Sequence, residues 1–260
     1  MTDGRTALRM LTLNALFTGD VRPRLRALAA ILDRAAYDVV CLQEVVYGPN
    51  ARLLARAFPH HAYSGTVLPR GGLVLLSRWP VRRCRSLRFP PWRPVRPELL
   101  MRKGAQLATV DTPGGGLIVV NTHLSANRDD DWSPENPYSR IARVELSRLA
   151  GAVAALDPTL PVVVTGDFNV PRSSALLRDF AAVTGLRDVL AGDAEPTYRP
   201  TPRWPAPPAL DQVYVRSTPD REITARARLV FRDEVPLADG RRAYLSDHYG
   251  IETELTLDGG

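Results

Sequence analysis

Apolar residues fall along this chain in short runs, and most runs end in an acid, an amide or a histidine. Alternation predicts a strand over 8–14, and VRPRLRALAAILDRAA predicts a helix over 21–36, with Leu25, Leu28, Ala29 and Leu32 at helical spacing. DVVCLQ reads as an apolar strand over 38–43, residues 50–58 as a short helix, and GLVLLS as a strand over 72–77. GAQLATV (104–110) and GLIVVNTH (116–123) flank the turn DTPGG and predict a hairpin. YSRIARVELSRLAGAVAAL (138–156) is the clearest amphipathic helix; PVVVTGD (161–167) reads as a strand and SSALLRDFAAV (173–183) as a helix. ALDQVYV, ITARARLVF and HYGIETELTL close the chain as strands.

Three segments read as loops. Residues 85–101 carry Pro90, Pro91, Pro94 and Pro97, which removes them from any helix or central strand. SANRDDDWSPENP (125–137) is polar throughout, and PTYRPTPRWPAPP (196–208) is a second proline-rich stretch. His60 and His61 fall in a further loop. Strands outnumber helices without strict strand–helix alternation, so the fold class is α+β rather than a doubly wound parallel sheet. No repeat or linker divides the chain, and residues 1–260 are expected to form one domain.

Composition narrows the class. A 45% hydrophobic and 24% charged balance is that of a soluble globular protein. No apolar run reaches the roughly 18–20 residues that span a bilayer. MTDGRTALRMLTLNAL lacks an apolar core followed by a small-residue cleavage site, so a cytoplasmic, monomeric protein with two buried, reduced thiols at Cys41 and Cys84 is expected. The net charge of +6 is almost all arginine, Lys103 being the single lysine. Alanine, arginine and proline are abundant together, as GC-rich coding produces. The charge therefore says only that an anionic partner is tolerated: nucleic acid, an anionic lipid surface met peripherally, or a phosphorylated metabolite.

The chemistry lies at the run ends. Glu44 closes a buried apolar strand, where a carboxylate needs a partner or a cation. Asp167 and Asn169 share one face in GDFN by the period of two. His123 ends IVVNTH. Asp247 and His248 in SDH can share a site only at a bend, and Asp211 in ALDQVYV is an acid among apolar neighbours that calls for a cation or an imidazole. With Asn14 in LTLNAL, these supply carboxylates, neutral amides and two imidazoles, the inventory for metal-assisted attack of water on a phosphate ester.

In this order the segments resemble the endonuclease/exonuclease/phosphatase superfamily, and the resemblance runs from Asn14 to His248, with each of the eight positions filled. It implies a four-layered α/β/β/α sandwich, two mixed sheets face to face with helices outside. It also implies that Glu44, with Asn14 and Asp247, holds Mg²⁺ or Mn²⁺. His248, oriented by Asp211, would be the general base. Asp167 would orient the attacking water, and Asn169 and His123 would contact the phosphoryl oxygens. Lys103-Gly104 ahead of a strand leading to NTHL is similar to the neutral sphingomyelinase-type branch and related bacterial proteins. The chain departs from secreted sphingomyelinases in lacking a signal peptide, and from inositol 5-phosphatases in having ALDQV where they carry a WCDR-type segment.

The resulting expectation is a divalent-metal-dependent phosphodiesterase acting on a lipid headgroup or small phosphodiester. A nuclease using the same site is the main alternative; a phosphomonoesterase and a non-catalytic binding module rank below it. Arg93, Arg96, Arg199 and Arg203 with Trp92 and Trp204 would serve either of the first two. Asp129, Asp130 and Asp131 beside the site oppose a long polyanion.

Overall fold

A computed structural model describes residues 5–63, 71–91 and 103–258. Strand β1 (Arg5–Asn14) leads through α1 (Val21–Arg34) to β2 (Val39–Gln43), then α2 (Gly48–Leu54), β3 (His60–Tyr63) and β4 (Val74–Ser77). The second half opens with β5 (Val81–Arg88), β6 (Gly104–Thr112) and β7 (Gly115–His123), then α3 (Pro137–Ala154), β8 (Val162–Asp167) and α4 (Ala175–Thr184). It ends with β9 (Arg187–Asp188), β10 (Asp211–Arg216), β11 (Ile223–Val230), β12 (Val235–Pro236), β13 (Arg242–Ala243) and β14 (Gly250–Asp258).

The strands form two six-stranded sheets, ordered β11-β14-β1-β2-β4-β3 and β5-β6-β7-β8-β10-β9. Each is mixed: β1 runs parallel to β2 and β7 parallel to β8, and the other pairings are antiparallel. Strand periodicity sorts the apolar side chains onto two faces. Met10, Val39, Cys41 and Leu75 of the first sheet meet Leu117, Val119, Val163 and Val213 of the second. The opposite faces, with Leu11, Leu13, Val40 and Leu42 on one sheet and Ile118, Val120, Val162 and Val164 on the other, pack under α1 and α2 and under α3 and α4. The four-layered α/β/β/α sandwich is therefore the observed architecture.

Several elements differ from the sequence reading. Residues 85–88 are not loop: they finish β5, which pairs with β6 at a sheet edge with most of its side chains in solvent, so no buried face marks it in sequence. His60 and His61 lie in β3, another edge strand. Helix α1 stops at Arg34, where Ala35 turns extended, and α2 begins at Gly48 and ends at Leu54, followed by a 3-10 turn. Cys41 is buried, as expected, but Cys84 is exposed on β5. The rest of the first proline-rich segment, with Trp92, Arg93 and Arg96, lies outside the described residues. Among the described residues no helix is long and apolar enough to cross a membrane.

Two features fix the edge where the parallel strands end. Amides join the sheets: Gln43 Nε2 donates to Asn121 Oδ1 at 2.8 Å, and Asn121 Nδ2 donates to the carbonyls of Leu42 and Val74. Gly166 holds φ +138°, and a Cβ there would lie 2.0 Å from the carbonyl oxygen of Thr122 on the paired strand. Only glycine fits that approach. Gly166→Ala should lose at least about 2 kcal/mol of unfolding free energy through strain and overpacking. Urea denaturation checks this; wild-type stability would show that β7 and β8 can separate freely.

Candidate active site

The edge collects side chains from both sheets. Asn14 ends β1 beside Gln43 at the end of β2, so Glu44 is the next residue outward. His123 ends β7 opposite Asp167 at the end of β8, and Asp167 pairs in turn with Asp211 at the start of β10. His248 lies two residues before β14 and forms an isolated bridge with Tyr198. Asn14, Glu44, His123, Asp167 and His248 border a cleft of about 370 Å³ that also takes in Lys103, Asn169 and Asp247, with Asp211 behind it. The chain bends at Asp247, which lets adjacent residues reach one site.

Asp167 is the hub. Its side chain is almost fully buried. Its Oδ2 accepts from Asn14 Nδ2 at 3.0 Å across the sheets and lies 3.3 Å from His123 Nε2 and 3.8 Å from His248 Nε2. Its Oδ1 accepts from the backbone N–H of Asn169 at 2.9 Å. Burial resists ionisation, but the nearby charges of His248, His123 and Lys103 hold the carboxyl well below the usual range. Asn169 thus caps Asp167 as an Asx turn, at φ +51°, while its Nδ2 donates to Leu124 O at 3.0 Å. His123 is 1% exposed, and neither ring nitrogen has a partner of hydrogen-bond geometry.

His248 is held from behind. Its Nδ1 lies 2.8 Å from Asp211 Oδ2, and its backbone N–H donates to Ser246 Oγ. Burial pushes its pKa down, but Asp211 and Asp167 outweigh that and raise it to about 10. Burial pushes the Asp211 carboxyl up, against the charge and bond of His248.

Glu44 and Asp247 face the cleft. Glu44 adopts φ +62°, against Gly72, where a Cβ would lie 3.0 Å from Glu44 Cα. Its Oε2 accepts from Phe17 N–H at 3.0 Å, and its Oε1 lies 3.9 Å from His123 Nε2. Such strain in a non-glycine residue is the kind that surrounding structure must hold in place. A divalent cation fits this donor set: Glu44, Asp167 and Asp247 bring hard oxygens to one small cleft. Asp167, Asp211 and His248 also lie close enough to share an ion, with donor atoms within 4.8 Å of one another. The bond between His248 Nδ1 and Asp211 Oδ2 already occupies two of those atoms. Asn14 spends Nδ2 on Asp167 and accepts from Leu16 N–H with Oδ1, so its evident work is to position Asp167.

Of the groups that complete the candidate site, Tyr198, Trp132, Arg24 and Arg172 escaped the sequence, whereas Lys103, Trp204 and Arg199 stood out there without the contacts they make. Lys103 is buried, donates to Leu124 O at 2.9 Å and lines the cleft. Tyr198 stands edge-on to His248 with ring centroids 5.0 Å apart, and burial and Asp247 raise its pKa to about 12. Trp132 and Trp204 stack at the mouth, centroids 6.4 Å apart. Arg24, Arg172 and Arg199 donate to main-chain carbonyls around the site. GC-rich coding does not account for these three. Their signal in sequence, an arginine inside an apolar helix or next to a site residue, is weak among so many arginines.

Two mixed sheets face to face, with acids, amides and imidazoles gathered at one shared edge, define a phosphoester hydrolase framework. The chain belongs to the Endonuclease/Exonuclease/phosphatase family, whose pattern matches residues 11–248. It is 24% identical over 280 residues to a Drosophila melanogaster protein named Putative neutral sphingomyelinase, covering 96% of this chain and 61% of that one. The chain thus spans 61% of the length of this curated relative. Three solved structures share the fold. Sphingomyelinase C from Streptomyces griseocarneus has a TM-score of 0.73 at 21% identity, covering 96% of this chain and 99% of that one. TDP2 of D. rerio, complexed with single strand DNA product, has a TM-score of 0.74 at 19% identity, covering 96% and 99%. A beta toxin from Staphylococcus aureus with bound magnesium ions has a TM-score of 0.67 at 17% identity, covering 95% and 99%.

The Asp211–His248 pair gives a test of sign. A folded-state pKa near 10 stabilises the fold below the unfolded histidine value of about 6.5, and that contribution fades as pH rises toward 10. Asp211→Asn should lower the His248 pKa by at least about one unit and remove part of that low-pH stabilisation. An NMR titration of the His248 ring in cation-free protein checks it; an unmoved pKa would assign the shift to Asp167 instead.

Proposed function

We propose that the protein is a divalent-metal-dependent phosphodiesterase acting on a lipid headgroup or a small phosphodiester. The observation that carries this reading is the 2.8 Å contact of His248 Nδ1 with buried Asp211, which leaves Nε2 as the ring atom toward Asp167 and the cleft.

Nε2 is then the atom at which the proton moves. With a cation offsetting the carboxylates that otherwise raise the His248 pKa to about 10, the ring would be neutral: Asp211 accepts from Nδ1–H and fixes the tautomer, so Nε2 takes the proton of the attacking water. Asp211 and Asp167 stabilise the imidazolium that results. Asp167 Oδ2, shared by Asn14, His123 and His248, orients that water. Lys103 Nζ, Asn169 Nδ2 and His123 Nε2 provide donors for the phosphoryl oxygens as charge builds on them. Glu44 and Asp247 hold Mg²⁺ or Mn²⁺, with Asn14 beside them. The bound cation supplies Lewis acidity and charge neutralisation. The products are a phosphomonoester and an alcohol.

Two observations favour a small or lipid-borne diester. Asp129, Asp130 and Asp131 are exposed on the loop whose Asn127, Arg128 and Trp132 line the cleft, and they repel a polyanion. The relative named for neutral sphingomyelinase adds to this. A nuclease remains the second reading because Trp132 and Trp204 form an aromatic wall at the mouth, suited to stacked bases. Bis-p-nitrophenyl phosphate, p-nitrophenyl phosphate, sphingomyelin, plasmid DNA and RNA, each with Mg²⁺, Mn²⁺ and EDTA, separate the two.

Turnover should vanish in EDTA and return with Mg²⁺ or Mn²⁺. Glu44→Gln should raise the cation concentration needed, with partial recovery in excess. Full activity after exhaustive dialysis against EDTA would end the metal mechanism.

His248→Ala should lower kcat by about 10²–10⁴-fold, the usual contribution of a positioned acid–base group. Asp211→Asn should show a smaller defect, and the double variant should be far from additive because the pair acts as one unit. Near-normal turnover of His248→Ala with a dead His123→Ala would exchange the two histidine roles.

A further inference from the structure

Asp247 and His248 sit on a segment that belongs to neither six-stranded sheet, between β13 and β14. Its three successive carbonyls are all taken by arginine N–H donors. Arg24 Nη1 donates to Leu245 O at 2.5 Å, Arg199 Nε to Ser246 O at 2.8 Å, and the main-chain N–H of Arg199 to Asp247 O at 2.7 Å. A lone bond of this sort is common. Three in a row, beneath a proposed cation ligand and a proposed base, form a specific support.

Arg24 does more than hold one side. It lies on α1, is 5% exposed and has no acid within ion-pair distance among the described residues. Its fork also donates to the carbonyls of Ala15 at 3.0 Å, Leu16 at 2.8 Å and Thr18 at 2.7 Å. That turn follows Asn14, contains Leu16 at φ +51°, and presents the Phe17 N–H that binds Glu44 Oε2. One side chain therefore ties the turn that supports Glu44 and Asn14 to the segment that carries Asp247 and His248. Arg199 braces the same segment from the other side. Its Nη1 donates to Arg232 O at 2.8 Å and its Nη2 to Phe231 O, and its guanidinium lies over the rings of Tyr244 and Tyr249 at 3.9 and 4.5 Å.

The chemistry demands arginine. A buried cation without an acid is costly unless every donor finds an acceptor. Five N–H groups in a planar fork can serve several carbonyls at once; a lysine ammonium on the same stem cannot hold that geometry. The charge of Arg24 also acts on Glu44 and Asp247, and that of Arg199 on Asp247. These charges help those carboxylates stay together before a cation arrives.

We propose that Arg24 and Arg199 are positioning residues: a paired carbonyl clamp that fixes Asp247 and His248 against Asn14 and Glu44, and thereby sets cation affinity and kcat without touching cation or substrate. This rests on the metal-dependent reading above. Removing outer supports of a metal site typically weakens affinity or activity by about 10–100-fold.

The test uses Arg199→Met, Arg199→Lys and Arg24→Met in the full chain, with three measurements. Hydrogen exchange on cation-free protein reads the amides of His248 and Tyr249, which donate to Ser246 Oγ and Thr197 O. Thermal unfolding against Mn²⁺ concentration reads cation affinity. Steady-state kinetics on bis-p-nitrophenyl phosphate separates kcat from KM. The expected result for Arg199→Met is faster exchange at His248 and Tyr249, a Mn²⁺ half-point raised about 10–100-fold, and kcat lowered by a similar factor at nearly constant KM. Arg199→Lys should fail to restore any of the three, because a single ammonium cannot replace the fork. A lowered Tm with unchanged exchange, Mn²⁺ half-point and kcat well below that Tm would overturn the clamp and leave Arg199 a stability residue. Full rescue by Arg199→Lys would overturn it as well. If Arg24→Met does not fold, the two Arg199 variants decide alone. If wild type shows no Mn²⁺-dependent rise in Tm, the metal-dependent reading fails, and exchange at His248 and Tyr249 still judges the clamp.

Discussion

A carboxylate buried between two sheets governs the edge of this molecule. Asp167 is removed from water at the point where β8 ends, and an uncompensated charge there would oppose folding by several kcal/mol. Compensation comes from both sheets: the Asn14 amide from β1, the Asn169 N–H from the same turn, and the two imidazoles of His123 and His248. The sheets must therefore meet in one register at this edge. The Gln43–Asn121 bond one layer below enforces the same alignment. Under the proposed function, stability and chemistry share a cause, because the groups that make Asp167 tolerable are the groups that would surround a reacting phosphate.

The supports outside the cleft follow the same logic at the level of the main chain. Leu16, Glu44 and Asn169 all take positive φ beside the site, where non-glycine residues are strained by about 1–3 kcal/mol each. Loops in such shapes leave carbonyls without strand partners. Arginine forks collect them: Arg24 on the turn after β1, Arg172 on Asp211 and Asp193, Arg199 on Ser246, Phe231 and Arg232. A positively charged sequence thus turns a few of its arginines, Arg24 and Arg172 above all, inward as main-chain support.

The cleft divides into a floor and a rim. The floor is acids, amides and imidazoles fixed by strand ends. The rim is built by loops 125–137 and 196–208, which bring Trp132, Tyr198 and Trp204 together over His248. Loops are where substrate choice varies on a common frame. The same fold in a sphingomyelinase and in TDP2 with a DNA product fits that division.

Sequence by itself determined the elements with a buried face. β1, β2, β7, β8 and β10 were legible because they alternate or run apolar beside a polar residue at the shared edge: Asn14, His123 and Asp167 end β1, β7 and β8, Glu44 follows β2, and Asp211 opens β10. The α+β class and the four layers were legible too, the second through resemblance. Edge strands β3 and β5 were not, because exposed side chains leave no period to read. Nor were the exposure of Cys84, the engagement of Asn14 with Asp167, or the carbonyl-binding arginines. Each depends on partners far along the chain: Asn14 and Asp167 are 153 positions apart, Arg24 and Leu245 are 221. Local pattern reports what a residue's neighbours bury. Which distant acceptor a donor finds is decided only when the two sheets close on each other, because a buried donor takes whichever acceptor the packed backbone leaves free.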